Sequence, residues 1–308
     1  MQPILMEFPG WGIKIHSYGV MILLACTGAL WITAWRARRE KLEVSSVYEL
    51  AGWLFLGGVI GARALFVIRH PETVHSAVDL IRSWQGGNVF YGCIMGGLAG
   101  SLLYWWRRPF PFWPMADAVA PALAVGITLG RIGCFLNGCC YGSACDLPWA
   151  VRFPKGTHAW LGQIEQGILP PAAEFSLPVH PTQLYAALSG VIILAILCAY
   201  FPRRRRDGEV MALLMILYPL TRWPIESLRG DETAVFAGMT LSQNLSVGLL
   251  LLGLAFWVQL SSRPAGRHVD SADPTSALVA RIPQKNQALR VFSVTIQISS
   301  INKPRCTN

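Results

Sequence analysis

The chain is short of charge. Only 14% of its 308 residues are Asp, Glu, Lys or Arg, whereas 53% are Ala, Val, Ile, Leu, Met, Phe, Trp, Tyr or Cys. A soluble domain carries charge on about a quarter of its residues, because its surface must hold water; a single soluble domain is thereby excluded. Other features are missing as well. Met1 to Gly10 contains Glu7 and Pro9 and lacks a basic start followed by an apolar run, so no cleaved signal peptide is expected. No Gly-Lys-Ser or Gly-Lys-Thr occurs, which removes a P-loop and its nucleotide. There is no internal repeat, and the pair of Cys-x-x-Cys knuckles usual for structural zinc is absent.

What is present is a series of apolar runs. The net charge of +9 does not point to nucleic acid, because the basic residues cluster between those runs. Spans of about 17 to 25 residues begin near Tyr18, Val47, Asn88, Met115, Pro181, Val210 and Leu241. They end near Trp35, Ile68, Trp106, Phe135, Tyr200, Ile225 and Leu260. In hydrocarbon every backbone N–H and C=O must be satisfied within the segment, and runs this uniform are too long for barrel strands. The expected fold is an all-α polytopic membrane protein of seven transmembrane helices over residues 1–260. The tail from Ser261 to Asn308 is rich in Ser, Pro and Arg, with one alternating segment from Val291 to Ile298, and is expected to be disordered.

Loop charge sets the expected orientation, since Lys and Arg near span ends stay cytoplasmic. Arg36, Arg38, Arg39 and Lys41 follow span one, Arg107 and Arg108 span three, Arg203 to Arg206 span five, and Arg263 and Arg267 span seven. These are alternate segments, so the N-terminus is expected outside and the C-terminus inside. Trp11, Trp84, Trp105, Trp106, Trp149, Trp160 and Trp257 are candidate interfacial anchors.

Three arginines fall inside spans, where a charge costs about 2.5 to 3.5 kcal/mol on insertion scales and usually faces a partner, a cavity or a substrate. They are Arg63, Arg131 and Arg222. Each could snorkel to the headgroups or pair with a carboxylate. For Arg222, Glu226 lies one helical turn on, within reach of an intrahelical pair, although Pro224 weakens that helix. The acids nearest Arg131 in sequence are only Asp117 and Asp146, and Arg131 sits between Gly130 and Gly133. A guanidinium gives a phosphate two parallel hydrogen bonds and stays charged at any relevant pH, so the arginines fit an anionic lipid headgroup.

The run Gly130-Arg131-Ile132-Gly133-Cys134-Phe135-Leu136-Asn137-Gly138-Cys139-Cys140-Tyr141-Gly142 resembles the signature of the bacterial prolipoprotein diacylglyceryl transferases, Gly-Arg-x-Gly-Asn-Phe-x-Asn-x-Glu-x-x-Gly. It matches at Gly130, Arg131, Gly133, Phe135, Asn137 and Gly142, and departs with Cys134 for Asn and Cys139 for Glu. Other pieces follow in that family's order: His16 to Gly19, Gly61-Ala62-Arg63, Gly86 to Gly92, His180 to Tyr185, and Arg222, Glu226 and Arg229. The resemblance covers Tyr18 to about Leu260. It implies a multi-pass enzyme of the bacterial cytoplasmic membrane, working without a cofactor or metal. The implied reaction moves the diacylglyceryl group of phosphatidylglycerol to the lipobox cysteine of a prolipoprotein. Its implied partners are that lipid, the lipobox peptide and membrane lipids, with no nucleic acid. Arg131, Arg222, Tyr91 and His180 are the implied catalytic residues, and Arg131, Tyr18, Asn137, Glu226, Arg63 and Gly142 bind substrate. Many members have His where this chain has Tyr91; His180, with an ordinary pKa of about 6.5, is the better intrinsic base.

Cys134, Cys139, Cys140 and Cys145 feed the rivals. Their spacing allows a Cys134–Cys140 or a Cys139–Cys145 disulfide in an oxidising compartment, a zinc site of four thiolates, or plain packing beside the glycines. A membrane thiol oxidoreductase is thus an alternative function, and an anionic-lipid-binding scaffold or transporter a further one. Cys26, Cys93 and Cys198 read as lipid-side or core residues. Gly92 to Gly100 carries small residues spaced for close helix contact. His70, His75 and His158 read as loop residues.

Overall fold

Apolar runs of this kind become helices in a computed structural model that describes residues 4–8, 13–71, 90–230, 236 and 238–271. A short antiparallel hairpin of β1 (Ile4–Phe8) and β2 (Ile13–His16) leads into α1 (Ser17–Arg39). The chain continues through α2 (Val44–Arg69), α3 (Phe90–Arg107), α4 (Phe112–Asn137), the short α5 (His158–Glu165), α6 (Thr182–Tyr200), α7 (Glu209–Ser227), α8 (Leu241–Ser261) and the single turn α9 (His268–Ser271). The protein is a mostly helical, polytopic membrane protein. Among the described residues, five helices are long and apolar enough to cross a bilayer: Ser17–Arg39, Val44–Arg69, Phe112–Asn137, Thr182–Arg203 and Leu241–Ser261. Helices α3 and α7 are nearly as long, and α7 carries Glu209, Arg222 and Glu226. Large apolar side chains such as Leu23, Trp31, Phe55, Leu56, Met95, Trp106 and Leu251 stay exposed, as expected of a lipid-facing surface. The hairpin and α5 have no counterpart in the sequence reading, since neither segment carries a long apolar run.

The chain divides into residues 1–266 and 267–308. In the first unit Arg206 donates to the carbonyls of Ser261 and Arg263, just beyond α8, and the Gly266 N–H reaches the Arg205 carbonyl. In the second, Arg267 pairs with Asp270 at 2.9 Å. The expected start at Asn88, the anchors Trp11 and Trp84, His75, Gly86 to Val89 and residues 272–308, with the alternating Val291 to Ile298, lie outside the described residues.

Helix α2 packs on α3, α1 on α4, α7 on α8 and α4 on α6. The first pair rests on glycine. A Cβ on Gly61 would stand 2.3 Å from the Gly92 carbonyl oxygen, and one on Gly96 2.1 Å from that of Gly57. The small-residue run of α3 therefore works as packing, by letting two backbones touch. Around Ala37, Leu42, Val47, Leu50, Tyr104, Met115 and Ala118 the ends of α1 to α4 form one core; Ala120, Ala124, Ile193, Leu197, Val210 and Leu214 join α4, α6 and α7 in another.

At that end of the bundle the basic run is not all surface. Arg204 is buried, 2.5 Å from Glu40 and 3.2 Å from Asp117, with Asp207 at 3.5 Å. Asp117 also accepts the N–H groups of Gly208 and Met211, which would otherwise be orphaned at the start of α7. Asp117, one of the two acids considered for Arg131, is therefore committed to Arg204. Trp160, proposed as an interfacial anchor, is instead buried and donates to the Ala173 carbonyl. Trp105, Trp106 and Trp149 are exposed.

Candidate active site

Helix α4 ends in a Schellman turn. Gly138 takes a left-handed φ of 72°, the Cys139 N–H reaches the Cys134 carbonyl at 3.2 Å, and the Gly138 N–H reaches that of Phe135 at 3.2 Å. This turn throws the chain back over the last helical turn, so Cys139 meets Cys134. Cys140 follows, itself left-handed at φ 59°. Both cysteine carbonyls are anchored by the first turn of α6: Gln183 donates to Cys139 and Thr182 to Cys140, each at 2.9 Å. Gly142 is then wedged beside His180, whose Cβ would lie 2.5 Å from any Cβ placed there. The Gly142 N–H bonds the His180 carbonyl and the Ser143 N–H bonds that of Leu228. One tight segment thus ties α4, α6 and the end of α7 together. Over it lies the fold of residues 143–181, centred on Tyr141, Phe153, Ala159 and Val179.

The arginines converge near this turn. Arg131, in the last two turns of α4, acts electrostatically on Arg222 of α7, as do Arg229 and Glu226. Glu226 is buried and lies 2.6 Å from Arg222 and 3.6 Å from Arg229. Thr240 donates to its other oxygen, and Arg222 reaches Ser242 at 3.3 Å. The Arg222–Glu226 pair weighed from the sequence is therefore present. Arg131 differs: among the described residues no carboxylate lies within salt-bridge reach of it. Three guanidinium groups and one carboxylate leave this cluster a net charge of +2 among the described residues.

The other candidates divide by position. Tyr18, in the first turn of α1, lies in the electrostatic field of Arg131 and of Cys134, Cys139 and Cys140, and its ring sits where a Cβ on Gly133 would meet it at 3.2 Å. Asn137 closes α4, and its side chain favours the Cys139 thiolate. His180 leads into α6 with its ring against Tyr185 and a buried Nδ1 that meets no partner among the described residues. These residues and Gly142 adjoin the turn. Arg63 and Tyr91 belong to the α2–α3 pair, where the Arg63 guanidinium lies 5.1 Å from the Phe66 ring. Sequence reasoning passed over Thr182, Gln183 and Ser242 as site residues; two polar residues opening an otherwise apolar helix were the available signal for the first two.

The described cysteines are free thiols, without the suggested disulfides. The sulfurs of Cys134, Cys139 and Cys140 all lie within 4.8 Å of one another; Cys145 is not among them. Hydrogen bonds from the Cys134 and Cys139 thiols lower the Cys140 thiol below its ordinary value, and Arg229 and Arg131 add to this against the cost of burial. Cys139 is raised: the hydrogen bond from Cys134 lowers it, but its bond to Cys140 and its burial outweigh that.

The sequence matches the family model described as prolipoprotein diacylglyceryl transferase over residues 3–259. The phosphatidylglycerol–prolipoprotein diacylglyceryl transferase of Proteus mirabilis is 32% identical over 261 residues, which cover 80% of this chain and 88% of that protein. The enzyme of the same name from Azotobacter vinelandii is 32% identical over 255 residues, 78% of this chain and 88% of its own. That of Clostridium tetani is 29% identical over 254 residues, 82% of this chain and 96% of its own.

Proposed function

The chain belongs to the prolipoprotein diacylglyceryl transferase family, and we propose that it moves the diacylglyceryl group of phosphatidylglycerol onto the lipobox cysteine thiol of a prolipoprotein, the first step of lipoprotein maturation. It does so as a seven-span protein of the bacterial cytoplasmic membrane, with the Cys-rich turn on the outer side, where a secreted precursor arrives.

In this reaction the substrate sulfur attacks a glyceryl carbon, the carbon–oxygen bond to phosphate breaks, and glycerol phosphate leaves. The phosphate goes from one negative charge in the lipid towards two in the leaving group. A fixed +2 cluster favours the second state more than the first, which is the condition for lowering a barrier rather than merely binding. Arg131 is the guanidinium with no described carboxylate to satisfy it, and that observation carries the assignment. Lying six residues before the end of α4, it is about 9 Å inside that helix end, a depth suited to a lipid phosphate. Arg222 and Arg229 are held in place by Glu226 and supply field. Tyr18 and Asn137 line the approach from the turn, and Gly142 leaves room for backbone to come close. We assign the thiol proton to His180, whose Nδ1 is unpartnered among the described residues, with Tyr91 the alternative acceptor and Arg63 a further substrate-binding residue.

The purified full chain, given phosphatidylglycerol vesicles and a lipobox peptide, is expected to raise the peptide mass by one diacylglyceryl group and release glycerol phosphate. No mass gain where a family relative works under the same conditions would overturn the reading. The rival thiol oxidoreductase draws on the three convergent sulfurs. A stable variant with Cys134, Cys139, Cys140 and Cys145 all changed to Ser keeps substantial transfer under the proposed function, whose reacting thiol comes from the substrate, and loses its chemistry under the rival.

A further inference from the structure

The three sulfurs have no task in the transfer reaction, yet the fold goes to some length to bring them together. The Schellman turn places Cys139 on Cys134, Gln183 and Thr182 pin the carbonyls of Cys139 and Cys140, and Cys140 is held left-handed, a conformation unfavourable for a non-glycine residue. We infer that Cys134, Cys139 and Cys140 form a three-coordinate site for a soft, thiophilic metal ion, with monovalent copper the ion it fits best.

Three sulfurs bound at about 2.3 Å to one ion in a trigonal plane stand about 4 Å apart. The observed separations, all within 4.8 Å, are thus closed by side-chain rotation of under about 1 Å, with no change in the anchored backbone. Donor chemistry chooses the metal. Thiolates select soft ions, and structural zinc takes four ligands, whereas among the described residues this group offers three and no His, Asp, Glu or fourth Cys joins it. A d10 monovalent ion is content with three. On binding, the three thiols release three protons to solvent, and three thiolates with one monovalent cation carry a net charge of −2; Arg229 and Arg131 both act on Cys140 and offset part of that charge, so a loaded site draws on the same field as the phosphate. The copper enters and remains as the monovalent ion, so no electron is transferred. The site does not depend on the transferase reading.

The test uses the reduced full chain in detergent, titrated with monovalent copper against the competing chelator bicinchoninate. One equivalent per chain is expected to be retained, with X-ray absorption showing three sulfur neighbours at about 2.3 Å. Cys134→Ser, Cys139→Ser and Cys140→Ser should each weaken retention at least about tenfold, while Cys145→Ser and Cys93→Ser leave it unchanged. A parallel measurement needs no variant: copper loading should shield Cys134, Cys139 and Cys140 from maleimide and leave the labelling of Cys145, outside the helices, unchanged. A titration with divalent zinc is expected to give weaker retention. Failure to hold copper against the chelator, equal loss on Cys145→Ser, unshielded cysteines in the triad, or tighter binding of zinc than of copper would each overturn the inference.

Discussion

Two charged residues of the candidate site answer differently to removal, because Glu226 is paired and Arg131 meets no carboxylate among the described residues. Arg131 has no described carboxylate within reach, so Arg131→Ala removes a charge without stranding another. We expect transfer to fall by about 10-fold to 150-fold, the equivalent of about 1.5 to 3 kcal/mol for a hydrogen bond to a charged group, while the melting temperature of the purified protein stays within error. Arg131→Lys should recover little, since an ammonium cannot offer the planar fork. Glu226→Ala is the opposite case. Its carboxylate lies 2.6 Å from Arg222 and is 2% exposed, and removing one member of a buried pair costs about 3 to 5 kcal/mol by leaving the other uncompensated. Thermal melting should drop sharply for this variant. If Arg131→Ala melted as early as Glu226→Ala, or both kept full transfer, the division of roles between them would fail.

At the scale of elements, the contact between α2 and α3 is set by what is missing from it. Gly57, Gly61, Gly92, Gly96 and Gly100 each face opposing backbone so closely that an added Cβ would stand 2.1 to 2.4 Å from a carbonyl oxygen. Gly61→Leu or Gly96→Leu must therefore push the helices apart. Loss of protein from the membrane fraction, or early melting in detergent, is expected for both. Gly52→Leu on the same helix, where nothing lies within 4 Å, should be tolerated; equal behaviour of the three would remove the packing argument. The α3 side of this interface was legible in the sequence, because small residues at that spacing in an apolar helix favour close helix contact; its partner on α2 was not. The long helices were legible too, with observed ends close to the expected ones, since desolvation forces apolar runs of that length into helix. The convergence of Cys134, Cys139 and Cys140 was not legible as a cluster: their spacing of five and one has no knuckle pattern, and only the left-handed Gly138 and Cys140 fold the thiols together. Nor was the pinning of that turn by Thr182 and Gln183, which come from more than 40 residues away.

For the whole molecule, the basic segments do two different things, and the sequence shows only one. Charge counting treats Arg203 to Arg206 as a uniform signal for the cytoplasmic side, yet Arg204 is buried against Glu40 and Asp117 and ties the ends of α1, α4 and α7 together. The orientation we propose therefore rests on the exposed arginines and the fold on Arg204. Reporter fusions after Arg39, Arg108 and Arg206 should all behave as cytoplasmic, and a periplasmic signal from two of the three would invert the protein and put Arg131 out of reach of a secreted substrate. Changing Arg203 and Arg205 together to Gln should weaken orientation control without lowering the melting temperature. Arg204→Gln should lower it markedly, because Glu40 and Asp117 then face each other as two buried carboxylates without their cation. Double substitution of Arg204→Gln with Glu40→Gln removes one of those stranded charges, and recovery of part of the lost stability in that variant is the result that distinguishes a buried network from a loop of surface charge.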